Sequence, residues 1–525
     1  MEPRILLIAV DGADIGFARQ GVDEGRMPCL ARLMSEGCWG PLRSTMPPVS
    51  CPAWISMRTG KNPDKLGIYQ FKRLKPGSYA VETVDFQVPD AAFWEVLSDR
   101  GARVGIVAVH MTYPPPPING VMVSPVYARS DEYTYPPEFQ RRLEARIGRL
   151  EYTPANRERF LANLTENHRR MEANRFRLVE AVWTMDTFDF FACGYDIDKI
   201  HHYVADTGEL LNYYAELDEI LNRTLALIQP RNVVIISDHG GGPIKGGFYT
   251  NAWLQEEGFL RYRAEPAAPK LLRYLPVSSL GRFLERTGTV RWARALVPDQ
   301  DLRRKIKHSK APLFEDAAGF IDWSHTLAFS PHSNAIYINA REHFPQGIVS
   351  ADAYPHILDQ VTAALQQITD PATGKSWTVE IRLAGPTQAG RRETGAPDIT
   401  FFCPDYPDSS AFSRNVFQDL REGGKIGYHR LNGLFVAAGA EIAAGGELSA
   451  LSIVDIAPTI LHLMGAPIPD DMDGRVLREI FQPTSQIAQH EPEYVPAATF
   501  ERERRVQTED AEAIEDRLRA LGYIE

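Results

Sequence analysis

The stretch "RILLIAVDG", residues 4–12, decides the fold class. A continuous aliphatic run without polar alternation belongs to a strand buried on both faces, as in parallel sheets. It ends in Asp11 and Gly12. The same pattern returns in "ARVGIVAVH" (102–110), "FDFFACGYD" (188–196), "NVVIISDHGGG" (232–242) and "NGLFVAAGA" (432–440). Between these runs lie amphipathic helical patterns: "MPCLARLMSEG", the long "NRERFLANLTENHRRMEANRFRLVEAVWTM" and "LLNYYAELDEILNRTLALI". Strands alternating with helices predict an α/β fold with a mostly parallel central sheet flanked by helices. Ligands of such sheets bind beyond the carboxyl ends of the strands, which makes Asp11, Asp198, Asp238 and His239 candidates for chemistry.

With 525 residues, 44% of them hydrophobic, the chain can bury a large core and fill two or three domain-sized units. A net charge of -11 argues against nucleic acid as a specific partner, because a surface that tracks phosphates needs a basic excess. The five cysteines show no CxxC spacing, so neither a disulfide framework nor a thiolate metal site is indicated. No cleavable leader pattern and no apolar run of membrane-spanning length is present, and the expectation is a cytoplasmic protein. Residues 261–310 break the acidic trend with 13 Lys or Arg against 4 Asp or Glu. That segment reads as an inserted helical cap whose charges form a solvated outer face, or a contact for an anionic substrate, membrane or nucleic acid. The predicted organisation is a catalytic core in 1–260 and 315–482, a basic helical cap in 261–314, and a C-terminal linker and helix in 483–525.

Asp238 and His239 in "SDHG" set a hard carboxylate beside an imidazole, a pairing suited to divalent metals or to a satisfied strand-end loop. In "DIDKIHHY", Asp198 and His202 stand four apart and share one face of a helical turn, with His201 as a rival ligand. His429 lies in the glycine-rich "GGKIGYHRLNG". Ser50, in "PPVSCPAWISMRTGKNP" (47–63), precedes Pro52 in the first turn of a predicted helix. Locally it reads as well as an N-cap as a nucleophile. Its neighbour Cys51 reads as a small packed side chain.

Strand-end Asp11, the segment "STMPPVSCPAWISMRTGKNPDKLGIYQF", the Asp198/His202 pair, "SDHG" and "GYHRLNG" together resemble, in order and character, the alkaline phosphatase superfamily. The closest branch is that of type I phosphodiesterases and nucleotide pyrophosphatases. The resemblance runs from residue 4 to about 481, and the closing "RLRALGYIE" is similar to tails in that group. It implies two divalent metal ions, zinc with manganese as the alternative. One would be held by Asp198, His202 and His429, the other by Asp11, Asp238, His239 and the nucleophile. In the family the nucleophile stands two residues before a proline and ten before the glycine of a Thr-Gly pair; Pro52 and Thr59-Gly60 therefore select Ser50. Related sulfatases use a modified cysteine in Cys-x-Pro-x-Arg. Cys51 is one place too late for that motif and no arginine follows at the required spacing.

The implied reaction is hydrolysis of phosphodiester or pyrophosphate bonds in a small-molecule phosphate ester, through a phosphoseryl intermediate on Ser50. A phosphomonoesterase or phosphotransferase on the same metals is the alternative, and a non-catalytic anion-binding protein a third reading. Where nucleotide pyrophosphatases commonly carry a phosphate-binding asparagine, this chain has Phe71, with Gln70 beside it as a substitute. Phe71 and Trp54 read as an apolar substrate wall or as core, and Lys245 as a phosphate contact or a solvated lysine.

Overall fold

Ile5–Asp11 forms a strand buried along its whole length in a ten-stranded sheet. In chain order the strands are β1 (Ile5–Asp11), β2 (Cys38–Arg43), β3 (Val104–Val107), β4 (Gly120–Val123), β5 (Thr134–Tyr135), β6 (Phe190–Asp196), β7 (Asn232–Ser237), β8 (Asn432–Gly439), β9 (Gly446–Glu447) and β10 (Leu451–Ser452). They lie in the order β9-β2-β8-β7-β1-β6-β3-β4-β5, with β10 also on β2. The computed structural model describes residues 4–86, 88, 90–125, 132–151, 157–263, 314–377, 379–383, 395–420 and 425–500.

The sheet is mixed, which corrects the expectation of a mostly parallel one. Strands β4, β3, β6, β1 and β7 run parallel, but β8 is antiparallel to both β7 and β2, and β5 is antiparallel to β4. An aliphatic run reports burial on both faces and says nothing about direction. The direction of β8 is set by its approach: Gly427–Arg430 pairs antiparallel with Gly240–Pro243, and β8 then continues antiparallel along β7.

Alternation along β1 builds two cores. Ile5, Leu7 and Ala9 face one apolar cluster, with Trp54 and Ile55 of the Ser50–Thr59 helix, Phe93–Asp99 and Ile456–Met464. Leu6, Ile8 and Val10 face the other, with Pro28–Glu36, Leu164–Met185 and Thr207–Ile228. Helices therefore cover both faces, as the period-two geometry of a doubly buried strand requires. The long helical pattern is broken at Asn163 into Arg157–Ala162 and Leu164–Met185.

A second sheet was not foreseen. Ala328–Phe329, Ala335–Ile338, Ile399–Phe402 and Glu380–Leu383 pair antiparallel in that order around a third cluster that includes Phe248, Trp253, Phe329 and Phe401. Of the proposed cap, only residues 261–263 and 314 are described; the cap otherwise lies outside the described residues. In the C-terminal segment Tyr494–Val495 pairs with Ile468–Pro469 and Phe500 is buried, while the helix expected after it lies outside the described residues. Among the described residues no helix is long and apolar enough to cross a membrane.

Candidate metal and catalytic site

Three adjacent strand ends converge. Asp11 closes β1 opposite Asp196 at the end of β6, and Asp238 follows β7 directly. Two residues beyond Asp196, Asp198 opens the helix Asp198–Tyr203. Gly12 joins these ends. Its φ is +78°, and a Cβ there would lie 2.6 Å from the Asp198 Cα, so only glycine lets the two segments approach this closely. The Gly12 amide donates to Asp238 Oδ1 at 3.1 Å and the Ile197 amide to the Asp11 carbonyl at 2.9 Å.

The imidazoles come from two directions. His239 follows Asp238, and its carbonyl accepts a 2.7 Å bond from the Ser237 hydroxyl. In the ribbon of Gly240–Pro243 with Gly427–Arg430, His429 lies opposite Gly241 and its ring stacks on His239 with centroids 3.9 Å apart. His202 lies one helical turn after Asp198. Each ring spends Nδ1–H on a backbone carbonyl: His202 on Gly427 at 2.8 Å, His429 on Pro48 at 2.8 Å and His239 on Gly240 at 2.9 Å. A neutral ring anchored in this way carries its lone pair on Nε2, turned to the interior.

Those nitrogens face carboxylate oxygens. His202 Nε2 and His429 Nε2 lie 3.2 and 3.4 Å from Asp198 Oδ1; His239 Nε2 lies 3.3 Å from Asp238 Oδ2 and 3.7 Å from Asp11 Oδ1. Lone pairs facing carboxylates at these distances repel unless a cation lies among them. Asp11 Oδ2 and Asp238 Oδ2 are moreover buried without a hydrogen-bond donor among the described residues. Both observations fit a bound metal. Donor atoms of Asp198, His239 and His429 lie within 4.8 Å of one another, as do those of Asp11, Asp238 and His239, and those of Asp11, His110 and Asp196.

Charge crowding is visible in the acidities. Burial and the neighbouring charge of Asp238 push Asp11 well above the usual carboxylate range, and burial does the same to Asp238. Burial also opposes ionisation of Asp198, but the Lys199 ammonium beside it helps hold that carboxyl well below its ordinary value. Burial lowers His202 and His429 and so favours the neutral rings that a metal needs.

Ser50 is the first residue of its helix, and the N-cap position belongs to Val49, whose backbone is extended at φ -122° and ψ 138°. The capping reading of Ser50 is thereby corrected. Its Oγ lies 3.2 Å from His239 Nε2 and 3.4 Å from Asp11 Oδ1. Cys51 is fully buried among apolar side chains, and burial pushes its thiol up, away from the reactive thiolate.

The structure thus gathers Asp11, Ser50, Asp198, His202, Asp238, His239 and His429. His201 turns away, with Nε2 2.9 Å from the Tyr214 hydroxyl. Trp54 and Phe71 are core side chains, Trp54 stacked near His110 and Phe71 edge-on to Phe86. The Gln70 side chain accepts from the Phe71 amide, and Lys245 pairs with Asp370 and Asp405, each at 2.9 Å. Sequence reasoning missed His110, Asp196 and Lys199. The first two end apolar runs, so the strand-end rule was the signal available for them.

A mixed α/β sheet with carboxylates, imidazoles and a buried serine gathered at its strand ends defines a centre able to hold metal. The chain belongs to the type I phosphodiesterase / nucleotide pyrophosphatase family, which it matches over residues 5–405. That membership points to hydrolysis of phosphoester bonds. The match takes in every gathered residue except His429. Among curated proteins nothing matches.

Proposed function

We propose that this chain is a two-metal hydrolase that cleaves phosphodiester or pyrophosphate bonds with Ser50 as nucleophile. One observation carries the reading: three imidazoles anchored through Nδ1 present Nε2 to buried carboxylates. Asp198, His202 and His429 would hold one divalent ion, and Asp11, Asp238, His239 and Ser50 the other. Mixed nitrogen and oxygen donors suit zinc, with manganese as the alternative. When bound, such a pair supplies Lewis-acid stabilisation of phosphoryl charge and a serine that is nucleophilic at neutral pH.

The protein's own part is positioning. Ser50 sits buried between Asp11 and His239, at the start of a helix whose ten residues are all buried, so its hydroxyl has little freedom to misalign. Attack of Oγ on phosphorus breaks one ester or anhydride P–O bond, the serine proton passing to the departing alcohol or nucleoside phosphate, and leaves on Ser50 a phosphoryl group that keeps its other ester substituent. Water then cleaves the bond between Oγ and phosphorus, releases the phosphate monoester and restores Ser50.

Initial rates of the zinc-loaded protein on bis-p-nitrophenyl phosphate and on p-nitrophenyl phosphate test the bond class. A higher kcat/KM on the diester is expected. Preference for the monoester overturns the diesterase assignment in favour of a phosphomonoesterase.

A further inference from the structure

The gathered side chains are not evenly covered. Asp11, Asp238 and His239 are wholly buried and Ser50 is 1% exposed, whereas the His202 and His429 side chains keep 7% and 10% of their surface. The centre therefore opens beside His202 and His429, and Ser50 stands at its closed end. Displacement at phosphorus runs in line, so the departing group lies opposite the attacking Oγ. A phosphate ester attacked from Ser50 has its leaving group at the open side.

Two further side chains edge that opening. Tyr428 precedes His429 in the strand Gly427–Arg430, and the two rings stack with centroids 4.4 Å apart and planes 8° from parallel. The same tyrosine ring lies 5.7 Å from that of His202. Lys425 Nζ lies over the Tyr428 ring, 4.4 Å from its centroid, and both side chains are half-buried. Cation–π attraction steadies the ammonium and leaves its charge in place. A positive charge is thus held one ring away from His429, on the side where the leaving group departs.

The two bond classes differ at that point. In either, the bond from Oγ to phosphorus forms, the P–O bond opposite breaks, and the departing oxygen takes the electron pair and the serine proton. A departing alcohol carries no other charge there. A departing phosphate carries a second, ionised oxygen throughout, which an ammonium can hold.

We infer that Lys425, seated on Tyr428, is the specificity-determining residue of the leaving-group side and selects substrates whose leaving group is itself a phosphate, pyrophosphate bonds before simple phosphodiesters. The inference deepens the reading above and rests on it.

Two substrates that transfer the same group test it. The symmetrical pyrophosphate of thymidine 5′-phosphate loses a nucleoside phosphate, and the p-nitrophenyl ester of thymidine 5′-phosphate loses a nitrophenol. Zinc-loaded wild type, K425R, K425M and K425E are compared by the ratio of kcat/KM on the pyrophosphate to kcat/KM on the ester. Incomplete folding or loading acts on both substrates alike and cancels in that ratio. It is expected to fall at least about tenfold in K425M, further in K425E, and to stay within about threefold of wild type in K425R. K425Q takes the place of K425M if the latter fails to fold. A ratio in the neutral variant that matches wild type overturns the inference, as does an equal fall in K425R, which would mark a role of shape and not of charge. Wild-type protein that cleaves p-nitrophenyl phosphate but neither thymidine substrate sinks the diesterase reading itself, and this inference with it.

Discussion

Ser50 and Cys51 are adjacent and both buried, yet only Ser50 faces the carboxylate and imidazole groups, while Cys51 packs among apolar side chains. Ser50→Ala is therefore expected to lower turnover by about three orders of magnitude or more while leaving the zinc content unchanged. Cys51→Ala is expected to keep wild-type turnover. Steady-state kinetics with a zinc count on each variant checks both, and the reverse pattern contradicts the assignment. At this scale the sequence was informative because Asp11, Asp198, Asp238 and His239 stand where strands end. The carbonyls of Pro48, Gly240 and Gly427 that orient the rings were illegible, since a backbone acceptor has no residue signature. Lys199 was missed for a related reason: a lysine beside an aspartate reads as solvated, and only the tertiary packing around its helix buries it.

Element by element, the five apolar runs became β1, β3, β6, β7 and β8, but their hydrophobicity carried no direction, and β8 runs against β7. The second sheet escaped because its strands are two to four residues long, too short for alternation to register. Asp408 lies between that sheet and the Gly247–Tyr249 strand, accepting bonds from the Thr250 hydroxyl and, at 2.6 Å, from the Asn334 amide. Burial pushes its carboxyl from 3.8 up to about 7. Between those values the folded protein holds a proton that the unfolded chain releases. Stability from this residue is complete below the lower value and is lost as pH rises through the upper one. Denaturant melts of the metal-free protein are expected to show wild-type stability falling relative to Asp408→Asn across that window, by up to about 1.4 kcal/mol per pH unit. Parallel pH profiles contradict it.

For the molecule as a whole, the family was legible because widely separated motifs agreed, and the match over residues 5–405 bears this out. What brings Asp11, Asp198, Asp238 and His429 together is the ordering of β6, β1, β7 and β8, a long-range property that no local pattern contains. Gathering buried carboxylates without cations works against folding, so metal is expected to stabilise the chain. Zinc at a hundred times its dissociation constant adds about 2.7 kcal/mol by mass action, read as a rise in Tm over the chelator-treated protein. An unchanged Tm contradicts the metal assignment. The central claim is that the fold delivers Ser50 to phosphorus, and trapping the intermediate tests it most directly. Zinc-loaded protein turning over a phosphodiester is quenched in acid, digested and mapped by mass spectrometry. The account predicts, on the peptide containing Ser50, a phosphoryl group that carries the substrate's retained ester substituent, absent in Ser50→Ala; the same adduct on another residue in protein that is turning over would contradict it.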